Sequence, residues 1–317
     1  MPTRRPFQRV PFDEIPALPR RPHPYADAPA REVGTRSPRL GALRIHYREL
    51  GAGPPLLLIH GLMTTSYSWR YVLEPLGRHF RLIVPDLPGC GKSEIAPEGA
   101  YGPGDLAAWI GDFQAALGLE GCLCVGNSMG GYLAMRRALA APGAFSRLVN
   151  IHSPAFPDYR LDLLAGLMKL PGTRALTAYL ARRDPLRWVH RNVHYHFEDL
   201  KSLEEAHAYG DPLASVAGSQ AFAAYLAETM SPAGLRAFTA QLDARKARGE
   251  AFPVPLLLLY SRRDPLVDPR NGERLAARIP DARLVFLDDT SHFAHVDTPE
   301  RVVDELLPFL EGETRAA

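Results

Sequence analysis

The sequence predicts an α/β fold: a mostly parallel, doubly wound sheet with a helical cap inserted above its strand ends. Three observations carry this. Short runs that are apolar at nearly every position recur, such as "PLLLIHG" (55–61), "CLCVGN" (122–127) and "PLLLLYS" (255–261). Strands of that kind are buried on both faces, as in parallel sheets. Between them lie stretches with apolar residues at helical spacing, which supply the crossovers that parallel strands need. One long stretch, 154–250, abandons the alternation and reads as helical throughout.

The elements follow in order. Residues 1–35 are rich in Pro and Arg, a composition that prevents both helix and sheet ladder, so an extended arm or disordered tail is expected there. Strands are read at 44–50, 55–61, 80–86, 122–127, 147–153, 255–261 and 283–289. Helices are read at 105–117, 129–141, near 269–278 and at 299–311. The core therefore comprises 36–153 and 251–317. The cap comprises 154–250, punctuated by Pro154, Pro157, Pro171, Pro185, Pro212 and Pro232. An insertion placed there sits over the strand ends, where open α/β sheets bind ligands.

Bulk properties narrow the function. The chain has 317 residues, 46% hydrophobic and 23% charged, which suits one large globular domain with an insertion. A net charge of +2 with dispersed Lys and Arg gives no phosphate-tracking patch, so no nucleic-acid partner is expected. The longest apolar runs are too short to span a bilayer, and no apolar segment follows Arg4 and Arg5 to make a secretory signal. Three cysteines cannot complete a disulfide set; Cys122 and Cys124 read as buried thiols. A cytoplasmic monomer or homodimer acting on a small molecule, with no cofactor and no metal, is the expectation.

The chemistry centres on Gly126-Asn127-Ser128-Met129-Gly130, which fits G-x-S-x-G between a strand and a helix. A strand that turns sharply into a helix strains its corner residue, and glycines two positions away remove the side chains that would collide. The Ser hydroxyl then projects beside a helix N-terminus, whose amides suit a developing oxyanion. Ser needs a base, and the base needs a carboxylate to fix its tautomer. Asp264 lies just past one buried strand and His292 just past the next. Ends of neighbouring strands at one sheet edge bring Ser128, Asp264 and His292 together. Asp264 is preferred to Asp268, Asp288 and Asp289 because it follows its strand directly.

With these residues in view, the chain resembles an α/β-hydrolase with a helical cap. The resemblance covers about residues 40–312. It rests on His60-Gly61, the Asp86–Ser93 run, Gly126–Gly131, Asp264 and Ser291-His292, in the family's order. It implies an eight-stranded sheet with the cap after strand 6. It also implies an oxyanion hole made of the Leu62 and Met129 backbone N–H groups. His60 would shape the loop, and Asp86–Ser93 would form a structural turn. The loop "HGLMTTSYSWR" (60–70) is similar to that of haloalkane dehalogenases and epoxide hydrolases. Those families carry Asp as nucleophile. An alkyl group on Asp is an ester that water cleaves, whereas on Ser128 it would be an inert ether.

Acyl transfer to water suits the whole set: a serine hydrolase that cleaves a carboxylic ester, or a related thioester, lactone or amide, through an acyl-enzyme on Ser128. Phe156 and Phe293 are candidate substrate contacts beside the apolar cap residues Leu164, Leu167, Tyr179, Phe222 and Tyr225. The elbow is also similar to that of hydrolases cleaving carbon–carbon bonds in ring-fission products. Thr64, Thr65 and Ser66 after the HG pair and Phe293 after His292 depart from that group. A non-catalytic ligand-binding member of the fold is the reading from another class. His190, His194 and His196 lack the acidic residue or third ligand that would complete a zinc spacing. His295 is expected to pack or to face solvent.

Overall fold

The computed structural model describes residues 5–96 and 101–312. Eight strands form one sheet in the order β1-β2-β4-β3-β5-β6-β7-β8. They are β1 (Ala30–Ser37), β2 (Gly41–Leu50), β3 (Pro55–Ile59), β4 (Arg81–Pro85), β5 (Cys122–Asn127), β6 (Phe145–Ile151), β7 (Leu256–Ser261) and β8 (Arg283–Leu287). The first two pairings, β1 with β2 and β2 with β4, are antiparallel, and every later one is parallel.

The fully apolar strands are buried on both faces, as their composition demands. Leu57, Ile59, Cys124, Leu256 and Leu258 face one hydrophobic core with Trp109 and Phe113 of α2 (Pro103–Leu117) and Leu133 of α3 (Met129–Ala140). Their neighbours Leu56, Leu58, Val125, Leu257 and Leu259 face a second core. That core includes Leu73 and Leu76 of a short helix after β3, α1 (Leu73–Gly77). Truncating one such leucine to Ala costs about 2–5 kcal/mol, so each core is a large share of the net stability.

The helix after β3 lies on one face and the helix after β5 on the other, while β3 and β5 are hydrogen-bonded neighbours. Connections that diverge to opposite faces leave a crevice at the carboxyl ends of those strands. Register lines up what borders it: Ile59 pairs with Gly126, Asn127 with Ile151, Ile151 with Leu259, and Ser261 with Leu287. The loops after β3, β5, β6, β7 and β8 therefore emerge in one row.

Between β6 and β7 the described chain is helical: α4 (Tyr159–Met168), α5 (Thr173–Arg183), α6 (Pro185–Asn192), α7 (Leu203–Gly210), α8 (Val216–Ala224) and α9 (Pro232–Ala247). After β7 come α10 (Arg270–Ala276), α11 (Ala294–Asp297) and α12 (Pro299–Glu311). A third apolar cluster joins these cap helices to the loop after β3, through Tyr67, Tyr71, Tyr195, Tyr209, Phe222 and Phe293. At its centre Arg70 is wholly buried. It bonds Glu205, donates to Tyr209 Oη at 3.3 Å, and stacks over Tyr67 and Tyr71.

The N-terminal boundary departs from the sequence expectation. The boundary near residue 35 falls inside β1, an edge strand whose inward positions include the polar Thr35 and Ser37. Such a strand has no apolar alternation to announce it. Before it, residues 5–29 are almost without regular structure, yet they pack against the molecule. Val10 and Ile15 are buried, Pro16 O accepts from Leu203 N at 2.9 Å, and Arg20 pairs with Asp199 at 2.8 Å. Further along, Tyr25 Oη bonds Ser66 Oγ at 2.7 Å. The segment thus touches first the cap and then the core.

Candidate active site

Ser128 occupies the corner between β5 and α3 with φ +54° and ψ −121°, a left-handed conformation rare for a non-glycine residue. The glycines around it explain how the chain tolerates this. A Cβ on Gly126 would lie 2.5 Å from Gly131 Cα, and one on Gly130 would lie 2.3 Å from Ile59 O. Both approaches are to backbone, which cannot rotate away. Ser153 Oγ donates to Ser128 O at 2.8 Å, and Ser128 N donates to Ile151 O at 2.7 Å. The strained corner is tied on both sides.

His292 Nδ1 lies 2.7 Å from Asp264 Oδ2. The other carboxylate oxygen, Oδ1, accepts from Leu266 N at 2.7 Å and Val267 N at 2.9 Å. Burial pushes the Asp264 pKa up. The His292 charge and hydrogen bond, with help from His152 and the Val267 amide, outweigh burial and bring it below the ordinary carboxylate value. The carboxylate is therefore ionised at neutral pH.

Ser128 and His292 both line a cavity of about 310 Å³ with Leu62, Phe156 and Phe293. A Ser128–His292 hydrogen bond is not formed among the described residues. Their loops are instead bridged by Asn127, whose Nδ2 donates to His292 O at 3.1 Å and to Ile151 O at 3.3 Å. Catalytic hydrogen bonds are commonly long in ligand-free enzymes and tighten with substrate. Sequence reasoning gave Asn127 no role beyond its place in the G-x-S-x-G run.

The Leu62 and Met129 amides donate to no protein acceptor among the described residues. The peptide between Gly61 and Leu62 is held from its carbonyl side, because Gly61 O accepts from Thr64 Oγ1 at 3.0 Å and from His60 Nδ1 at 2.8 Å. His60 Nε2 in turn accepts from Leu87 N at 3.0 Å, which fixes its tautomer with the proton on Nδ1. In a trans peptide the N–H points opposite to the C=O. His60 and Thr64 therefore aim the Leu62 N–H. Asp86 binds Ser66 N and Lys92 N at 2.8 and 3.0 Å, so its run is a structural turn.

Other expected residues fall as follows. Asp268 pairs with Arg270, and the exposed Asp288 and Asp289 lie 3.5 Å from Arg262 and Arg263. His295 is wholly buried against Trp69, with ring centroids 4.5 Å apart. His190 contacts Val10 O, His194 pairs with Glu198, and His196 packs edge-on to Phe7, so the three do not converge. Leu167 and Tyr179 face solvent rather than the cavity.

Two residues beside the site had no sequence signal. His152, just past β6 with φ +55°, is wholly buried with Nδ1 3.4 Å from Asp264 Oδ2. Ser261 N donates to that same nitrogen at 3.0 Å, and burial lowers the His152 pKa to about 3, so it is neutral. Asp297 Oδ2 accepts from Ser291 N at 2.7 Å, and Oδ1 accepts from Phe197 N at 3.3 Å. It links the His292 loop to the cap. Burial pushes its pKa up to about 7.

A sheet of this order, with Ser128 at the turn after β5 and the Asp264–His292 pair at its strand ends, is the architecture of the α/β-hydrolase class. Residues 54–299 match the family described as the alpha/beta hydrolase fold, and the chain belongs to that family. Haloalkane dehalogenase 2 of Mycobacterium tuberculosis is 28% identical over 265 residues, covering 83% of this chain and 90% of its own. The pimeloyl-[acyl-carrier protein] methyl ester esterase of Aeromonas hydrophila is 26% identical, covering 84% of this chain and all of its own. A thermophilic esterase from Thermogutta terrifontis superposes with a TM-score of 0.70 at 25% identity, covering 90% of this chain and 98% of its own. Among the described residues no helix is long and apolar enough to cross a membrane.

Proposed function

We propose that the protein is a serine esterase that hydrolyses a carboxylic ester of a small, mostly apolar molecule. The observation that carries this is the 2.7 Å contact of His292 Nδ1 with Asp264 Oδ2 in the wall of the cavity that Ser128 also lines. An ionised Asp264 keeps the His292 proton on Nδ1 and leaves Nε2 as the base. Ser128 Oγ attacks the carbonyl carbon while His292 Nε2 takes its proton. The oxyanion that forms is bound by the Leu62 and Met129 N–H groups; one such donor is worth about 3–4 kcal/mol of barrier. His292 then returns the proton to the departing alcohol. Water, deprotonated by His292, releases the acid from Ser128.

Ser at the elbow selects among the activities carried by the relatives' names. Dehalogenation through Ser128 would end in an ether, while an ester or related acyl bond gives an intermediate that water opens. The cavity, with Phe156 and Phe293 in its wall, suits an acyl chain or ring of modest size. Cys90, Cys122 and Cys124 are free thiols, which fits a cytoplasmic setting. The test is labelling by a fluorophosphonate probe together with a chain-length series of p-nitrophenyl esters. Labelling of Ser128 and a defined length optimum support the reading. Hydrolysis that persists in Ser128→Ala overturns it.

A further inference from the structure

Large apolar side chains that face solvent are concentrated on two consecutive cap helices. On and just beyond α4 they are Tyr159 (74% exposed), Leu163 (62%), Leu167 and Leu170. The spacing i, i+4, i+8, i+11 puts these on one stripe. On α5 they are Leu176, Tyr179 and Leu180. Seven of the ten exposed large apolar residues among those described lie on this hairpin. Single exposed leucines are ordinary, but such a cluster marks a surface that something covers. The opposite side of α4 is apolar too, with Leu161 lining the cavity and Met168 buried. A helix apolar on both sides is not built to face water.

Charge identifies what covers it. From 158 to 187 there are six cations (Arg160, Lys169, Arg174, Arg182, Arg183, Arg187) against three acids (Asp158, Asp162, Asp184). Two of the cations are offset from outside the stretch, Arg174 by Glu228 at 3.0 Å and Arg187 by Asp13 at 2.7 Å, while Asp162 is offset by Arg236. Lys169, Arg182 and Arg183 form no ion pair among the described residues. A second copy docked face to face would set this cationic rim against itself. An anionic lipid surface answers both features, taking apolar side chains at headgroup depth and Lys and Arg at its phosphates. The same helix borders the cavity through Arg160 and Leu161. We propose that the α4–α5 hairpin docks the enzyme on an anionic lipid surface, with the cavity mouth beside the lipid.

The test is vesicle flotation of the full chain carrying Ser128→Ala, so that docking is read apart from ester cleavage. Vesicles are phosphatidylcholine alone or with about 30 mol% phosphatidylglycerol. Binding should be at least about tenfold stronger on the anionic vesicles and should weaken as salt is raised to about 0.5 M. Leu163→Asp/Leu167→Asp and Lys169→Gln/Arg182→Gln/Arg183→Gln should each abolish it. Circular dichroism and hydrolysis of a short water-soluble ester by the same variants with Ser128 restored should be unchanged. Absence of binding to anionic vesicles overturns the proposal, as does unaltered binding by either variant. A dimer in gel filtration that Leu163→Asp/Leu167→Asp splits, with no vesicle binding, assigns the face to a second copy instead.

Discussion

Asp264 and His292 meet at 2.7 Å although 28 residues separate them, because β7 and β8 run parallel and in register from Leu257↔Arg283 to Ser261↔Leu287. The pair is a property of the sheet edge, and it makes the first prediction. Asp264→Asn leaves the fold intact but removes the negative charge that holds the imidazole tautomer. It should lower kcat by about 10⁴, as removing the carboxylate does in the serine protease template, with KM little changed. Asp288→Asn and Asp289→Asn, both exposed and outside the cavity, should keep near-normal rates. Steady-state kinetics on one p-nitrophenyl ester compares all three.

Ser128→Ala should lower kcat by about 10⁴–10⁶ and abolish fluorophosphonate labelling. The protein should stay folded, because Ala meets the same φ as Ser and removes only the hydroxyl. A melting temperature within a few degrees of the parent separates lost chemistry from lost structure.

Gly130→Ala should fail for a different reason. Its methyl would stand 2.3 Å from Ile59 O and 2.5 Å from His60 O, so β3 and α3 must move apart. Overpacking of this kind against backbone is expected to cost about 3 kcal/mol or more. Urea unfolding should show a lowered midpoint, whereas Gly118→Ala, with open space around it, should lose only what its φ of +62° demands.

Asp297 predicts a pH dependence of stability. Its pKa rises from 3.8 to about 7 on folding, because its site disfavours the charge. The folded state then holds a proton that the unfolded state has lost. Stability from this group is present below pH 3.8, falls as pH rises, and levels off above about 7. The drop is on the order of 4 kcal/mol. His152, lowered to about 3, acts oppositely and adds stability as pH rises from about 3 to 6.5. The difference between parent and Asp297→Asn isolates the Asp297 share. Melting curves from pH 5 to 8 should show the parent losing ground against the variant; parallel curves would count against a raised pKa.

Much of this was legible in the sequence because buried parallel strands leave continuous apolar runs. Strands β2 to β8 each overlap a run read in advance, and β5 coincides with 122–127. The elbow was legible because glycine is the one residue that fits between crossing backbones. Strand β1 was not, since an edge strand with Thr35 and Ser37 turned inward carries no apolar rhythm. His152 and Asp297 were hidden for another reason. Their surroundings include Asp264 and Phe197, and no local pattern encodes a neighbour that distant. Leu167 and Tyr179 read as apolar cap residues beside the pocket; only the helix orientation shows them facing out.

The ordered N-terminal segment has a consequence for biosynthesis. Residues 5–29 leave the ribosome well before their partners Asp199, Leu203, Glu204 and Glu300. The contacts with Asp199, Leu203 and Glu204 wait for about two hundred residues and the one with Glu300 for about a further hundred, a long-range closure that is slow by nature. Residues 5–29 can therefore latch in full only onto partners made much later in synthesis.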